Sequence, residues 1–286
     1  MEKEVCICGA GTMGRGITLT AAGHGMQTIL YDLNPEMISA AADMIEKELE
    51  QEFIKNRISA EEKEKISGRI SFTNSISDCR APFIIEAIVE KKDIKSGLFL
   101  ELAELNSEET IFATNTSSLS VTEIAEQTPF PEKILGLHFF NPANRMKLVE
   151  IIRSKYVSEE VVKRTIALAM KLGKTAVICR DAPGFIVNHV ARPFYLEALR
   201  LAEGGTTDLS TIDRIMESAG FKMGPFHLMD LIGQDINYTV SCSLYEALGR
   251  AERLKPSVLQ ENMVKQGLLG KKTGRGFFQY SKPVSG

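Results

Sequence analysis

The stretch Cys6–Gly16, "CICGAGTMGRG", decides the fold, because it joins an apolar strand to a helix through a glycine-rich turn. Gly9, Gly11 and Gly14 stand there in GxGxxG spacing. In such a turn the first glycine permits a tight bend, the second lets the backbone approach a pyrophosphate, and the third allows helix and strand to pack closely. The N–H groups that begin the helix then face the phosphates. The stretch therefore predicts a dinucleotide site, and the alternative is a glycine-rich turn without a ligand.

The second apolar run, "QTILYD", ends in Asp32, eighteen residues after Gly14. A carboxylate at the end of the second strand binds the adenosine ribose hydroxyls and repels a 2′-phosphate. Because the next residue is Leu33 and not an arginine, we expect NAD as the cofactor and not NADP. Thr12 and Met13, between the second and third glycines, are predicted to line the same cofactor site.

Short apolar runs alternate with amphipathic stretches through the first half of the chain, which is typical of an α/β fold. After the last run the segment "RDAPGF" suits a domain junction, and the pattern beyond it is helical. We therefore predict a Rossmann-like, mostly parallel sheet domain over residues 1–182 and a smaller, all-helical domain over residues 183–286. The charged segment "SAEEKEKISGR" is expected to be a solvated helix or a loop. The predicted strands are "EVCIC", "QTILYD", "ISFTN", "PFIIEAI", "TIFATN", "KILGLHFF", "KLVEII" and "TAVIC".

The composition argues against several classes of function. The 286 residues are 44% hydrophobic and 25% charged, and the formal net charge of −3 offers no attraction to nucleic acid or to an anionic membrane. No apolar run is long enough to span a bilayer, and the first strand begins within four residues, which leaves no room for a targeting peptide. We therefore expect a cytoplasmic protein without nucleic-acid or membrane partners.

Neither the cysteines nor the histidines have metal-ligand spacing. The five cysteines include no CxxC pair, and the four histidines include no HExxH motif. We therefore expect reduced, mostly buried thiols and no metal, and we expect His24 and His227 to have structural roles only.

Two ionisable residues interrupt two predicted core strands. His138 lies in "ILGLHFF" and Glu150 lies in "KLVEII", twelve residues apart. Burying a charge or an unpaired polar group costs several kcal/mol unless it has a partner. The two residues either hold a strand–loop–strand return together or form a general base with its orienting carboxylate. No YxxxK pair at a helical position and no GxSxG elbow offers a competing catalytic centre.

Further motifs follow one another along nearly the whole chain, namely "GAGTMG", "EAIVE", "NTSSLS", "GLHFFNP", "MKLVE", "PGFIVN", "MGPF" and "GLLGKKTGRGFF". With these motifs the chain resembles the 3-hydroxyacyl-CoA dehydrogenase family, which includes 3-hydroxybutyryl-CoA dehydrogenases. The stretch "MGPFHLMDLIGQDINY" is most similar to the 3-hydroxyadipyl-CoA dehydrogenases of phenylacetate breakdown. The resemblance implies an NAD-binding domain, a helical C-terminal domain and a homodimer formed through that second domain.

The resemblance implies catalytic roles for four residues. His138 would take the proton from the substrate 3-hydroxyl, and Glu150 would orient the imidazole and stabilise the imidazolium. Ser117 would donate a hydrogen bond to the reacting oxygen, and Asn188 would position the substrate and stabilise developing charge. These residue types suit the chemistry, because a histidine is poised near neutral pH and neutral donors stabilise an oxyanion. The structural alternatives are a helix cap for the serine and a solvated helix position for the asparagine.

The resemblance also implies residues that contact the ligands. The cofactor would contact Glu90, Lys95, Asn115, Asn141 and Lys272, and Ser117 would contact both cofactor and substrate. CoA would contact Lys55, Ser117 and Asn188. For each lysine the alternative is a solvated surface charge.

Two departures from the family pattern affect substrate recognition. Many relatives have "NPAPVMKLVE" where this chain has "NPANRMKLVE", which introduces Asn144 and Arg145. Arg145 could meet a distal carboxylate, such as that of an adipyl chain, or could be a surface loop change. Glu48 stands near a position where some relatives place a serine beside CoA, which affects the expected CoA affinity and not the reaction class.

The sequence thus predicts an NAD-dependent (S)-3-hydroxyacyl-CoA dehydrogenase that interconverts 3-hydroxyacyl and 3-oxoacyl thioesters. One alternative is a CoA-independent hydroxy-acid dehydrogenase of the lens-crystallin and gulonate branch, although that branch departs from the "HFFNP" and "GKKTG" patterns. Another alternative is a non-catalytic NAD-binding protein on the same fold. Acyl-chain length, physiological direction and pathway stay open.

Overall fold

The computed structural model describes residues 4–280, and the chain divides into two compact units, Met1–Ala182 and Pro183–Gly286. The first unit is built on one eight-stranded sheet in the order β3-β2-β1-β4-β5-β6-β7-β8. Each predicted strand is present. The strands are β1 Glu4–Cys8, β2 Gln27–Tyr31, β3 Ile70–Thr73, β4 Phe83–Glu86, β5 Ile111–Thr114, β6 Ile134–Phe139, β7 Leu148–Arg153 and β8 Thr175–Arg180.

The sheet is parallel except where β6 and β7 pair in the antiparallel sense. The chain runs from β1 to β2 and β3 on one side and returns to β4 on the other side of β1. This reversal of strand order opens a crevice beyond the carboxyl ends of β1 and β4, which is where ligands bind in such sheets. The predicted Rossmann-like, mostly parallel sheet is confirmed.

Six helices cover this sheet. Local signals explain several of their ends, since the Asn34 side chain caps the helix that begins at Pro35 and Ser59 forms a capping box with Glu62. The charged segment is therefore a helix with no buried residue. The helices are α1 Thr12–Gly23, α2 Pro35–Ile54, α3 Ala60–Ser67, α4 Lys92–Leu105, α5 Val121–Glu126 and α6 Glu159–Lys171.

The core of the first unit lies on both faces of the sheet. All residues of β4 and β6 are buried, whereas the edge strands β3 and β8 are only partly covered. Central strands of a parallel sheet are covered by helices on both sides, which explains why their sequences are mostly apolar. In β6, His138 is therefore a polar residue in an otherwise apolar, buried strand.

The second unit is helical, as predicted, and contains five α-helices among its described residues. A core of Tyr195, Leu199, Phe226, Met229 and Leu254 packs between them. None of the helices in residues 4–280 is long and apolar enough to cross a membrane. The helices are α7 Val187–Glu203, α8 Leu209–Ser218, α9 Pro225–Ile232, α10 Gln234–Ala247 and α11 Val258–Lys265.

Gly14 should be indispensable to the first turn. A Cβ at Gly14 would lie 1.7 Å from the carbonyl oxygen of Gly9, whereas a Cβ at Gly23 in the same helix would meet nothing within 4 Å. We expect Gly14→Ala to lower the free energy of unfolding by about 3 kcal/mol or more, because the backbone must move to relieve the overlap. The matched control Gly23→Ala should raise that free energy by about 0.5 kcal/mol. Urea denaturation without cofactor measures both, and equal stabilities would contradict the close packing.

Candidate active site

The β6–β7 hairpin places His138 directly opposite Glu150 in the strand register. The imidazole Nδ1 lies 2.8 Å from Glu150 Oε2, and both residues are buried, at 4% and 1% exposure. A carboxylate accepts hydrogen bonds, so Nδ1–H donates to Glu150 and the Nε2 lone pair is left as the basic position. The arrangement satisfies both buried groups and also sets the tautomer that a general base requires.

Ser117 lies at the other side of the imidazole. Its Oγ is 3.1 Å from His138 Nε2, so the hydroxyl donates to the basic nitrogen in this tautomer. The Phe140 ring packs against the imidazole, with ring centroids 4.6 Å apart. The structure thus brings three of the four predicted catalytic residues into one hydrogen-bonded row, Ser117–His138–Glu150.

Glu90 holds the loop that carries Ser117. Its Oε1 accepts hydrogen bonds from Thr116 Oγ1 at 2.5 Å, from Ser117 N at 3.0 Å and from Ser118 Oγ at 3.4 Å. On the neighbouring strand end, Asn115 Oδ1 accepts a hydrogen bond from Phe139 N at 2.9 Å. The predicted cofactor residues Glu90 and Asn115 are therefore next to the histidine row, and both also position the loop between β5 and α5.

Lys95, another predicted cofactor residue, is fully buried beneath Glu90. Its ammonium lies 2.7 and 2.9 Å from the two carboxylate oxygens of Glu86 and 3.2 Å from Glu90 Oε2. Thr114 Oγ1 and the backbone N of Ile88 also donate to the Glu86 carboxylate, each at 2.7 Å. Burial raises the pKa of Glu86, and the Lys95 ammonium opposes that rise. For Lys95, the solvated-surface alternative is excluded by its zero exposure.

The glycine-rich turn has the shape that a dinucleotide requires. Gly9 has φ +109° and so close an approach to Ala87 that a Cβ would lie 2.6 Å from its carbonyl oxygen, whereas a Cβ at Gly11 would meet nothing within 4 Å. In the described part of the chain no side chain caps the start of α1, so its first N–H groups are available to phosphate oxygens. Thr12 is exposed there, and Met13 packs partly against the core. These features fit an NAD pyrophosphate.

Asp32 is fixed at the carboxyl end of β2 by two backbone donors. Ala10 N donates to its Oδ2 at 2.8 Å and Asn34 N donates to its Oδ1 at 3.0 Å. The carboxylate is thus tied directly to the glycine-rich turn, and Leu33 beside it is 80% exposed. This placement suits a residue that binds ribose hydroxyls and repels a 2′-phosphate.

Two predicted residues belong to the second unit. Asn188 lies in the first turn of α7, where Arg192 Nε donates to its backbone carbonyl oxygen at 3.3 Å. Lys272 lies in the short 3-10 helix Lys271–Thr273 and forms an ion pair with Asp235, at 2.6 and 2.7 Å. Their proposed contacts with substrate and cofactor stay predictions.

The two departures from the family pattern contact each other. Asn144 Nδ2 donates to Glu48 Oε1 at 2.7 Å, which ties the loop after β6 to α2. Arg145 is mostly exposed and lies 3.4 Å from Glu52. Lys174, whose pKa burial lowers, donates to the carbonyl oxygens of the same loop. The loop is therefore anchored from two sides.

The remaining predicted residues lie at exposed positions. Lys55 follows the C-terminus of α2, and Asn141 is the second residue after β6. Their predicted ligand contacts stay predictions.

Three of the five cysteines cluster despite their spacing in the sequence. The Sγ atoms of Cys6, Cys8 and Cys79 lie within 4.8 Å of one another, and all three residues are fully buried. The pKa values of Cys6 and Cys8 are raised: the hydrogen bond with Cys79 is the main cause for Cys6, the hydrogen bond with Cys6 is the main cause for Cys8, and burial adds to both. A raised pKa favours the neutral thiol at both positions, as expected for buried cysteines.

Sequence reasoning missed several buried polar residues in each of the two units. Glu86 and Thr116 were not singled out, although the acid in "PFIIEAI" interrupts an apolar strand in the same way as His138 does. In the second unit, Arg192 and Asp230 are buried, at 2% and 0% exposure. A charged residue inside an otherwise apolar run was the available signal at Glu86 and Asp230.

Comparisons with known proteins agree with the geometry. The model of the family domain "3-hydroxyacyl-CoA dehydrogenase, NAD binding domain" matches residues 4–182. The model of the "3-hydroxyacyl-CoA dehydrogenase, C-terminal domain" matches residues 184–280. The match to the first of these models supports the predicted cofactor, NAD.

Individual relatives cover nearly all of this chain. A "3-hydroxyadipyl-CoA dehydrogenase" of Escherichia coli is 42% identical over 97% of the chain, and the chain spans 59% of that protein. A "Probable 3-hydroxybutyryl-CoA dehydrogenase" of Bacillus subtilis is 39% identical, with 99% of each chain covered. The crystal structure of an Escherichia coli 3-hydroxybutyryl-CoA dehydrogenase superposes with a TM-score of 0.93 at 41% identity, covering 98% of this chain and 60% of that one.

The buried pair of Glu86 and Lys95 should be essential to stability. We expect Lys95→Met to lower the free energy of unfolding by about 3–5 kcal/mol, because it leaves a buried carboxylate without its cation. The double variant with Glu86→Leu should recover most of this loss. Lys65→Met, which breaks the exposed pair with Glu61, is the matched control and should change stability little. Denaturant titrations measure all three, and similar losses for Lys95→Met and Lys65→Met would contradict the assignment.

Proposed function

The chain belongs to the 3-hydroxyacyl-CoA dehydrogenase family, and on that premise we propose that it interconverts (S)-3-hydroxyacyl-CoA and 3-oxoacyl-CoA with NAD as the cofactor. The observation that carries the proposal is the buried row Ser117–His138–Glu150. The row lies in the same unit as the dinucleotide turn. One unit would therefore supply both the proton acceptor, His138, and the binding site of the hydride acceptor, NAD.

The chain's own residues account for the proton transfer. His138 Nε2 takes the proton of the substrate 3-hydroxyl, and Glu150 stabilises the imidazolium that forms. Ser117 donates to His138 Nε2 in the structure and can donate instead to the substrate oxygen as charge develops there. Bound NAD supplies the acceptor for the hydride that leaves C3. We assign to the Asn188 amide a second neutral donor role toward the substrate.

The remaining contacts complete the proposed ligand sites. Asp32 and the N-terminus of α1 bind the adenosine ribose and the pyrophosphate, and Glu90 holds the loop of Ser117. Asn115, Asn141 and Lys272, together with Lys95 beneath Glu90, are proposed as further residues of the NAD site. Lys55 is proposed to meet CoA phosphates, since it is an exposed cation.

The finer assignments follow from the relatives' names and from the sequence. The relatives named for 3-hydroxyadipyl-CoA and 3-hydroxybutyryl-CoA favour an acyl-CoA substrate over a free hydroxy acid. We further propose a cytoplasmic homodimer formed through the second unit. We also propose β-oxidation as the setting for this reaction.

The test of this function follows NADH absorbance with acetoacetyl-CoA and, in parallel, with free 3-oxo acids and sugar acids. We expect turnover of the thioester and little turnover of the free acids. Turnover of free acids alone would favour the lens-crystallin and gulonate branch, and no turnover with retained NADH binding would favour a non-catalytic protein.

His138→Gln should separate catalysis from binding. We expect turnover of acetoacetyl-CoA to fall by about 10²–10⁴-fold, because the proton-transfer group is lost. NADH binding, measured by fluorescence, should survive, since no dinucleotide-turn residue changes. The matched control His24→Gln should keep normal turnover, and near-normal turnover of His138→Gln would refute the general base.

Arg145→Val tests whether the loop after β6 reads a distal carboxylate. The Arg145 side chain is mostly exposed and already lies 3.4 Å from Glu52, so we expect kcat/KM for adipyl relative to butyryl substrates to change by less than about twofold. A tenfold loss of adipyl preference would instead assign Arg145 to the substrate.

A further inference from the structure

A chain of buried polar side chains crosses the interior of the second unit from Asp230 to Arg192. Gln234 Nε2 donates to Asp230 Oδ1 at 2.7 Å, and Gln260 Nε2 donates to Gln234 Oε1 at 2.8 Å. Gln260 Nε2 and Arg192 Nη1 both lie close to Asn237 Oδ1, at 3.2 and 3.3 Å. Each of the five residues is at most 2% exposed. We call these five residues the amide bridge, since three neutral amides join a carboxylate to a guanidinium.

The Arg192 end of the amide bridge reaches the first turn of α7. Its guanidinium donates to the carbonyl oxygen of Asn237 at 3.0 Å and to Ser241 Oγ at 2.8 Å, and Nε donates to the carbonyl oxygen of Asn188. Within residues 4–280 no carboxylate pairs with this cation, and the Tyr195 ring stacks on it, 4.8 Å away. Burial lowers the pKa of Arg192 to about 10, which still leaves it charged at neutral pH.

The Asp230 end of the amide bridge holds the turn that carries Lys272. Its carboxylate accepts hydrogen bonds from Phe277 N and Phe278 N, each at 2.9 Å, and from Tyr280 Oη at 3.0 Å. The backbone approaches so closely that a Cβ at Gly276 would lie 2.0 Å from Asp230 Oδ1. The "GKKTGRGFF" segment is therefore wrapped around one buried carboxylate.

Stability alone does not account for the amide bridge. Asn237 Nδ2 and Gln260 Oε1 are buried without a hydrogen-bond partner among the described residues, and each such atom costs about 1–3 kcal/mol. Well-packed apolar side chains at these positions would be at least as stable as a bridged, incompletely satisfied ion pair. What the amide bridge provides instead is a fixed geometry between its two ends.

We propose that Arg192 is a positioning residue. It holds the first turn of α7, which carries Asn188, at a fixed position relative to the turn that carries Lys272. The inference rests on the proposed function, because Arg192 acts through Asn188 and not on the substrate itself. Each end of the amide bridge lies beside a residue assigned to ligand binding, Asn188 at one end and Lys272 at the other. Breaking the amide bridge should therefore displace the Asn188 amide and leave the hydrogen bonds of the row Ser117–His138–Glu150 unchanged.

A double-mutant cycle in the full-length protein tests this inference. We compare kcat with acetoacetyl-CoA, together with KM for NADH, for the unmodified protein, Arg192→Met, Asn188→Ala and the combination. Arg192→Met should lower kcat about 10–100-fold, as expected when a reacting group is displaced. In the Asn188→Ala background the same change should alter kcat less than about twofold, because no amide remains to be positioned.

A second variant and a control separate positioning from folding. Gln260→Met breaks the amide bridge and leaves the charges of Asp230 and Arg192 in place. It should lower kcat when Asn188 is present and should not lower kcat further in the Asn188→Ala variant. It decides the question if Arg192→Met does not fold, as judged by thermal melting. Arg214→Met, at an exposed arginine of α8, should leave kcat unchanged.

The outcomes distinguish the two proposals. An active protein in which Arg192→Met or Gln260→Met costs the same factor with and without Asn188 overturns the positioning role and leaves the proposed function intact. An unmodified protein that turns over no CoA thioester overturns the proposed function, and the positioning role falls with it.

Discussion

The antiparallel pairing of β6 with β7 is the constraint on which the candidate site depends. Parallel neighbours need a long crossover, so residues twelve apart in sequence can face each other only where the chain turns straight back. The hairpin therefore places the His138 imidazole beside the Glu150 carboxylate in the middle of a buried sheet. Because both side chains are almost fully buried, they need polar partners, and the hydrogen bond between them also selects the basic nitrogen.

In both units, buried charged side chains are connected to side chains of opposite charge through hydrogen-bond networks. In the first unit Lys95 lies directly between Glu86 and Glu90 and connects the centre of the sheet to the loop of Ser117. In the second unit the opposite charges of Asp230 and Arg192 are joined through the amides of the bridge. Such networks add little to stability relative to apolar packing, but they allow few alternative arrangements. They lie beside loops and helix starts, where an active site needs rigid support.

Most elements of the fold could be predicted from the sequence, because strand and helix periodicity are local properties. Each of the eight strands was predicted, and so was the change to a helical second unit. α5 is only six residues long, too short for a helical period to stand out, and no helix was predicted at α9 or at α6, although Ser158 stands at the start of α6. The cysteine cluster could not be predicted for a different reason. Cys79 lies beside Cys6 and Cys8 only because β4 returns next to β1 in the sheet.

The sequence by itself determined the dinucleotide turn, the carboxylate at Asp32 and the identity of the polar residues at His138 and Glu150. Each of these depends on spacing within one or two elements, which the order of residues specifies directly. Only the tertiary structure decided which buried polar groups are partners: Lys95 with Glu86, Asn144 with Glu48, and Arg192 with Asn237. Such pairs lie on different elements, and their partners are set by strand order, register and helix packing, none of which a single stretch of sequence specifies.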